Sequence, residues 1–277
     1  MFILKVAYLG PKGTFSEEAA LRYFSTSASE TIMYSTIFDV LEAVDEGEVD
    51  KGIVPIENAI EGTITMTTDG LVNYNVWIEG EAVLPVRLHL LTVKGARLED
   101  IKEIWSIPPA LAQCRIFTKE MKAQTKHFSS TSRAAEALGQ SGRMDAGAVA
   151  SELAAEIFGL DIAKRDIHDN NCNSTRFLVL SKTPNGNIHE TDKSMLLITP
   201  TEDRPGLLAI ILNVFSSLNI NLSWIESRPT KKKLGTYRFF IEAALGVHDA
   251  NLKKAVTILE AYGHEVRVLG SYKTTKL

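Results

Sequence analysis

The sequence predicts an α/β protein of two lobes followed by a smaller ferredoxin-like βαββαβ unit. Three observations carry that expectation. Short apolar runs alternate with helix signals up to about residue 80. A second alternation starts near Glu81. A turn-rich stretch, Lys182–Asp192, then precedes a segment with its own rhythm.

Val6–Leu9 is the first expected strand. Gly10-Pro11-Lys12-Gly13 turns it into a helix from about Ser16 to Tyr23, where Ser16, Glu17 and Glu18 ahead of Ala19-Ala20-Leu21 form a capped start. Ile32–Tyr34, Thr36–Glu46 and Lys51–Val54 follow as strand, helix and strand, and this βαβαβ order implies a mostly parallel sheet. In the second lobe Val83–Val93, Ile104–Ser106 and His127–Phe128 read as strands. A helix over Ser132–Leu138, a strand at Ala146–Val149 and a helix over Ser151–Phe158 complete it. Arg176–Leu180 returns as a strand to the first lobe. Lobe one thus takes about 1–80 and 165–181 and lobe two about 81–164, with a cleft between them suited to a small ligand.

Residues 182–192 read as a linker around Pro184-Asn185-Gly186-Asn187. Beyond it, within 193–277, come a strand Ser194–Thr199, a helix from Pro205 to Ser217, strands Asn221–Ser227 and Thr236–Leu245, a helix Asp249–Tyr262 and a strand Glu265–Leu269. Two helices on one face leave an open face and an edge for pairing with another copy.

With 277 residues, 45% hydrophobic and 23% charged, the composition is that of an ordinary globular protein, and a net charge of −4 offers no footprint for nucleic acid. Lys231-Lys232-Lys233 is short and reads as a solvated loop. No apolar run nears the ~20 residues that span a bilayer, and the apolar start at Met1 stops at a Gly-Pro turn without a basic leader. Cys114 and Cys172 lack metal-ligand spacing and read as free thiols of a cytoplasmic protein. There is no phosphate-binding glycine loop, no dinucleotide fingerprint, no zinc pattern and no Gly-x-Ser-x-Gly elbow, which leaves no motif for a cofactor or metal.

What remains is a set of hydroxyls, amides and one guanidinium at strand ends. Asn173-Ser174-Thr175-Arg176-Phe177 places a hydroxyl beside a guanidinium at a strand entrance, either a proton donor next to an anion clamp or a strand cap with a surface arginine. Thr14 and Ser16 open a helix and bind an anion or cap it. Asn58 orients a ligand or stabilises a turn. Ser106 and Gln113 flank Pro108-Pro109-Ala110-Leu111, with a solvated helix face the plainer reading for Gln113. Glu57 and Glu61 form an acid pair or, the plainer reading, are surface carboxylates, and His89 and His168 read as structural.

Taken together and in order, Gly10–Ser16, Val54–Gly62, Ser106–Cys114, Asn173–Phe177 and Glu226–Pro229 resemble the prephenate dehydratase family with a phenylalanine-sensing ACT domain. The resemblance covers nearly the whole chain. It implies a periplasmic-binding-protein-like catalytic region over 1–181 and an ACT domain over 193–277. It implies conversion of prephenate to phenylpyruvate, water and CO2 without a cofactor. Thr175 would assist the leaving hydroxyl and Arg176 would hold a carboxylate, with Asn58, Ser106 and Gln113 orienting substrate and Thr14, Ser16, Glu57, Asn173 and Phe177 around it. Gly206, Leu207, Leu208, Asn221, Glu226, Ser227, Arg228 and Pro229 would bind L-phenylalanine.

The chain departs from the family in three places. Ser106-Ile107-Pro108-Pro109 stands where Ser-His-Pro-Gln is common, Ala59 where serine is usual, and Leu207 where alanine is frequent. The resemblance further implies a homodimer or homotetramer through ACT and catalytic domains. With no helical mutase segment ahead of the first strand, it implies a monofunctional enzyme. Arogenate dehydratase and a non-catalytic amino-acid or keto-acid sensor are the alternatives.

Overall fold

A computed structural model describes residues 3–25, 28–184, 191–202 and 204–277. The first lobe runs β1 (Leu4–Leu9), α1 (Phe15–Tyr23), β2 (Ser29–Tyr34), α2 (Ile37–Glu46), β3 (Lys51–Asn58), β4 (Gly62–Thr63), α3 (Thr65–Asn73) and β5 (Trp77–Pro85). The second holds β6 (His89–Thr92), β7 (Glu103–Ser106), α4 (Pro108–Gln113), α5 (Arg115–Met121), β8 (Gln124–His127), α6 (Thr131–Ser141), β9 (Ala146–Ala150), α7 (Glu152–Phe158) and β10 (Asp161–Lys164). β11 (Ser174–Ser181) comes back to the first lobe. The C-terminal unit is β12 (Lys193–Thr199), α8 (Leu207–Ser217), β13 (Leu222–Pro229), β14 (Tyr237–Ala243), α9 (Ala250–Ala261), β15 (Glu265–Tyr272) and β16 (Thr274–Lys276).

β1 pairs parallel with β2 and β3, as the βαβαβ reading requires. β11 inserts antiparallel between β3 and β5, and its Leu178, Val179 and Leu180 are fully buried. The second lobe has its own sheet, ordered β10-β6-β9-β7-β8. The single strand expected over Val83–Val93 is two strands in two sheets. Pro85, which has no N–H for a ladder, closes β5, and Val86–Leu88 carries the chain across to β6. That places the lobe crossing past Pro85 rather than near Glu81.

Helix α3 has no counterpart in the sequence reading. Its Thr-Met-Thr-Thr-Asp-Gly start is poor in helix formers and has no side-chain cap. Tertiary packing supports it: a Cβ on Gly70 would lie 2.1 Å from Leu41 Cδ1, so a larger residue there would force the buried Leu41 side chain to move.

The C-terminal unit packs α8 and α9 on one sheet face, around Ile198, Ile211, Phe215 and Leu259. Its other face is not open. Met195, Leu197, Trp224, Phe240, Leu269 and Tyr272 share a core with Val40, Leu41, Leu71 and Ile78 of the first lobe. β15 approaches β5 at Gly270 and Ile78, and β16 pairs parallel with β5, so one sheet runs through both units. The face expected to receive a second copy is covered by the first lobe, while β13 remains the sheet's outer strand. Most of the expected linker, 185–190, lies outside the described residues. Among the described residues no helix is long and apolar enough to cross a membrane.

Candidate active site

A cleft of about 360 Å³ lies between the lobes, where β1 and β3 end and where β11, α1, α4 and α6 begin. One wall is apolar, with Phe15, Ile64, Val86, Leu88, Ile107, Ala110 and Phe177. The other carries Thr14, Ser16, Asn58, Glu61, Gln113, Ser129, Ser130, Thr131, Asn173 and Thr175. Among the described residues no lysine or arginine lines it.

Thr175 and Asn58 face each other across the β11–β3 ladder. The Asn58 Nδ2 group donates to Thr175 Oγ1 (3.0 Å), to Asn173 Oδ1 (2.9 Å) and to the Ser174 carbonyl (3.3 Å). Its Oδ1 accepts from the Ile60 and Glu61 N–H groups, both at 3.0 Å. These partners fix the amide: turned over, it would set Oδ1 against two oxygen acceptors and Nδ2 against two N–H donors. Thr175 Oγ1 therefore accepts from Asn58, and no described residue takes its proton. The chain of amides continues outward. Asn173 Nδ2 donates to Gln113 Oε1 (2.7 Å), and Gln113 Nε2 donates to Glu61 Oε1 (3.2 Å).

Two helix N-termini point at this wall. Thr14 caps α1 by accepting from Glu17 N (3.3 Å), so the cap is Thr14 and not Ser16, whose buried side chain lines the cleft. Ser130 caps α6 by accepting from Arg133 N (3.0 Å). The first N–H groups of both helices have no partner within their helices, and the two dipoles add positive potential where no basic side chain does. The Gly10–Thr14 turn is held in place by Glu17, which takes the Gly13 N–H (2.5 Å) and the Tyr8 hydroxyl (2.9 Å). From lobe two, Ser151 donates to the Gly13 carbonyl (3.1 Å) and Ser132 to that of Lys12. Ser129–Thr131 line the cleft and were not among the candidates that the sequence singled out. The hydroxyl run Ser129-Ser130-Thr131-Ser132 ahead of an apolar-patterned helix was the available cue.

Three expected site residues stand elsewhere. Arg176 follows Thr175 on a strand and so projects to the other face. It binds Glu57 Oε2 (2.9 Å), Glu81 Oε2 (2.5 Å) and Glu242 Oε2 (2.6 Å) and lines no part of the cleft. Burial works against its charge, but Glu242, Glu81 and Glu57 outweigh that and raise its pKa above the ordinary arginine value. Glu57 is engaged in this cluster. Ser106 is fully buried and donates to the Val149 carbonyl at 2.7 Å, tying β7 to β9 behind α4. Neither cysteine lines the cleft, and burial pushes the Cys114 thiol up to about 12. His89 and His168 accept backbone N–H groups from Asp166 and Leu88.

In the C-terminal unit, Gly206 takes a left-handed φ of +80° and starts α8, with Leu207 buried and Leu208 exposed beside it. Asn221 sits before β13, and its carbonyl accepts from Ala244 N. On β13, Ser227 and Pro229 are exposed, whereas the alternate residues reach the first lobe. Glu226 accepts from Thr63 Oγ1 (2.9 Å), and Arg228 binds Asp69 (3.0 Å).

Family models give this arrangement a context. The model described as prephenate dehydratase matches residues 6–185, and that described as ACT domain matches 201–261. The chain belongs to the prephenate dehydratase family. A bifunctional chorismate mutase/prephenate dehydratase of Aquifex aeolicus is 41% identical, over 97% of this chain and 73% of that one. The Bacillus subtilis prephenate dehydratase is 36% identical over 99% of this chain and 100% of its own. A plant relative at 36% identity, over 97% of this chain and 71% of its own, is arogenate dehydratase 2 of Petunia hybrida. Among solved structures, the prephenate dehydratase of Arthrobacter aurescens in complex with L-Phe superposes with a TM-score of 0.88, at 35% identity over 97% of this chain and 90% of that one. The two-lobed region with its ACT domain is thus the fold of the prephenate dehydratase family.

Proposed function

We propose that this chain is a prephenate dehydratase regulated by L-phenylalanine. The observation that carries the reading is the Thr175 hydroxyl, held from behind by Asn58 with its own proton uncommitted, at the edge of an apolar-walled cleft. Prephenate is a dianion. Its pyruvyl carboxylate is held by the hydroxyls and N–H groups that begin α1 and α6, in place of Arg176. Its ring lies against Phe15, Leu88, Ile107 and Phe177. The carboxylate that leaves meets this apolar wall, where poor solvation favours its loss as neutral CO2.

As the C–CO2 bond breaks, its electron pair enters the ring and expels the hydroxyl across it. Thr175 hydrogen-bonds that oxygen as negative charge develops. The proton that completes the departing water passes by way of the threonine hydroxyl from solvent. The gain in aromaticity drives the step, so no electron sink is needed.

In this reading 1–181 is the catalytic region and 193–277 the regulatory one. L-phenylalanine binds around Gly206–Leu208 and Glu226–Pro229, supported by the L-Phe complex of the Arthrobacter relative. The protein works as a cytoplasmic homodimer or homotetramer, in keeping with its free thiols. Arogenate differs only in carrying an amine where prephenate has a keto group, and the Petunia relative keeps it as the second reading.

The test is phenylpyruvate formation from prephenate, followed by absorbance, beside the same assay with arogenate. Wild type is expected to turn over prephenate, to respond to L-phenylalanine and to lose roughly 100-fold or more of kcat in Thr175→Ala with its fold retained. Turnover of arogenate alone selects the second reading, and turnover of neither substrate removes both.

A further inference from the structure

We propose that Arg176 is a positioning residue that ties the C-terminal unit to the Thr175–Asn58 pair. The inference rests on the reaction proposed above for its kinetic readout, but its geometry is independent of it. In the β11–β3 ladder Thr175 lies opposite Asn58 and Arg176 opposite Glu57. The Arg176–Glu57 ion pair therefore stands directly behind the Thr175–Asn58 hydrogen bond, on the other face of the same two strands.

That ion pair does not end in the first lobe. Arg176 Nη2 bonds Glu242 on β14 at 2.6 Å and Glu81 on β5 at 2.5 Å. Lys193 on β12 reaches Glu81 (3.1 Å) and Glu242 (3.5 Å). Tyr272 donates to Glu242 Oε2 (2.7 Å), Ser223 donates to Glu242 Oε1, and Thr274 donates to Glu81 Oε1 (2.8 Å). Three carboxylates and two cations thus share a site in which Glu81 and Glu242 have 1% and 0% of their side chains exposed. A buried charge stripped of its partner is strongly unfavourable, so this cluster cannot stretch gradually. If β14 shifts against β11, either the guanidinium follows Glu242 and drags the backbone beside Thr175, or the cluster breaks. Such an all-or-none contact is what coupling between a regulatory and a catalytic unit needs.

The deciding measurement is hydrogen exchange by mass spectrometry on the full chain, comparing wild type with Glu242→Gln and, as a control, Asp69→Asn. Asp69 also bridges the two units, through Arg228 and Lys231, but away from β11. Exchange at 58–61 and 174–177 is expected to rise about tenfold in Glu242→Gln and to stay unchanged in Asp69→Asn. With it, kcat is expected to fall about tenfold while KM for prephenate stays within about twofold, and Arg176→Lys, which keeps the charge, is expected to recover part of the loss seen in Arg176→Gln.

Unchanged exchange at both segments in Glu242→Gln overturns the proposal. So does a raised KM with unchanged kcat in Arg176→Lys, the mark of a substrate clamp. Should Glu242→Gln not fold, Tyr272→Phe removes one support of Glu242 without removing charge and gives the same readings at smaller amplitude. If wild type makes no phenylpyruvate, the assigned reaction fails, and the exchange comparison still decides the coupling.

Discussion

Asn58 does two jobs with one amide. Its oxygen closes the turn at Ile60 and Glu61, and its nitrogen donates to Thr175, which leaves the threonine proton with no partner among the described residues and, in the proposed reaction, available to the substrate. Asn58→Asp keeps the shape and reverses the second job. A carboxylate oxygen would then accept from Thr175, drawing the hydroxyl away from the cleft and adding negative charge beside a dianion. The expected outcome in steady-state kinetics is a kcat lower by roughly 100- to 1000-fold with an unchanged circular dichroism spectrum. A kcat within about threefold of wild type would sink this account of Thr175. The strand-end hydroxyl and amide of Thr175 and Asn58 were legible as candidates that their residue types left open between ligand and turn or cap, while Gln113 alone read as a solvated helix face. The family resemblance placed these residues and Asn173 in one site, and the structure brings the four side chains together. Arg176 was legible as a charged residue but not as a structural one. Its partners Glu81 and Glu242 lie 95 and 66 positions away, and only the strand pairing brings them together.

The turn between β1 and α1 is an element whose conformation sets the cleft. Gly13 has a φ of +79°, and a Cβ there would lie 3.0 Å from Ser132 Oγ, 3.2 Å from Ala154 Cα and 3.2 Å from Phe158 Cε2, all in lobe two. Gly13→Ala adds the left-handed strain of about 1–2 kcal/mol and also presses the lobes apart where Ser132 and Ser151 hold them. The expected result is a lower thermal midpoint together with a raised KM, since the N-terminus of α1 moves out of register with that of α6. A lower midpoint with unchanged KM would show that the turn supports the fold alone. The sequence marked this turn through Gly-Pro-Lys-Gly, a local cue. It did not mark α3, whose residues favour no helix and which stands on its packing against α2, nor the division of Val83–Val93 between two sheets, which follows from where the neighbouring strands lie.

At the scale of the whole molecule, the C-terminal unit is fastened by charge as well as by its apolar face, and stability depends on pH through buried histidines as well as through that charge. His264 is buried with neither ring nitrogen bonded to a described residue; burial, aided by Arg204, holds its pKa below the ordinary 6.5. His89 is likewise lowered, by burial against the opposing pull of Asp166. Both rings are neutral in the folded state, so their contribution is complete above about pH 6.5 and is lost as pH falls from there toward the lower folded values.

A second loss follows further down. Burial works to raise Glu242, but Arg176, Ser223, Tyr272 and Lys193 together hold it below its ordinary 4.5. Burial also opposes the lowering of Asp69, which Lys231 and Arg228 hold below 3.8. These carboxylates stabilise the fold above their unfolded values and cease to do so as pH falls through the folded ones. Urea unfolding at pH 7.5, 5.5 and 4.0 is expected to show a midpoint that falls at each step. His264→Phe, whose ring is apolar and has no proton to bind, should shrink the fall that begins below about pH 6.5. Stability that is flat from pH 7.5 to 5.5 in wild type would contradict the histidine step. An acid limb unaltered in Glu242→Gln would contradict the carboxylate step, and with it the view that the Arg176 cluster fastens the two units.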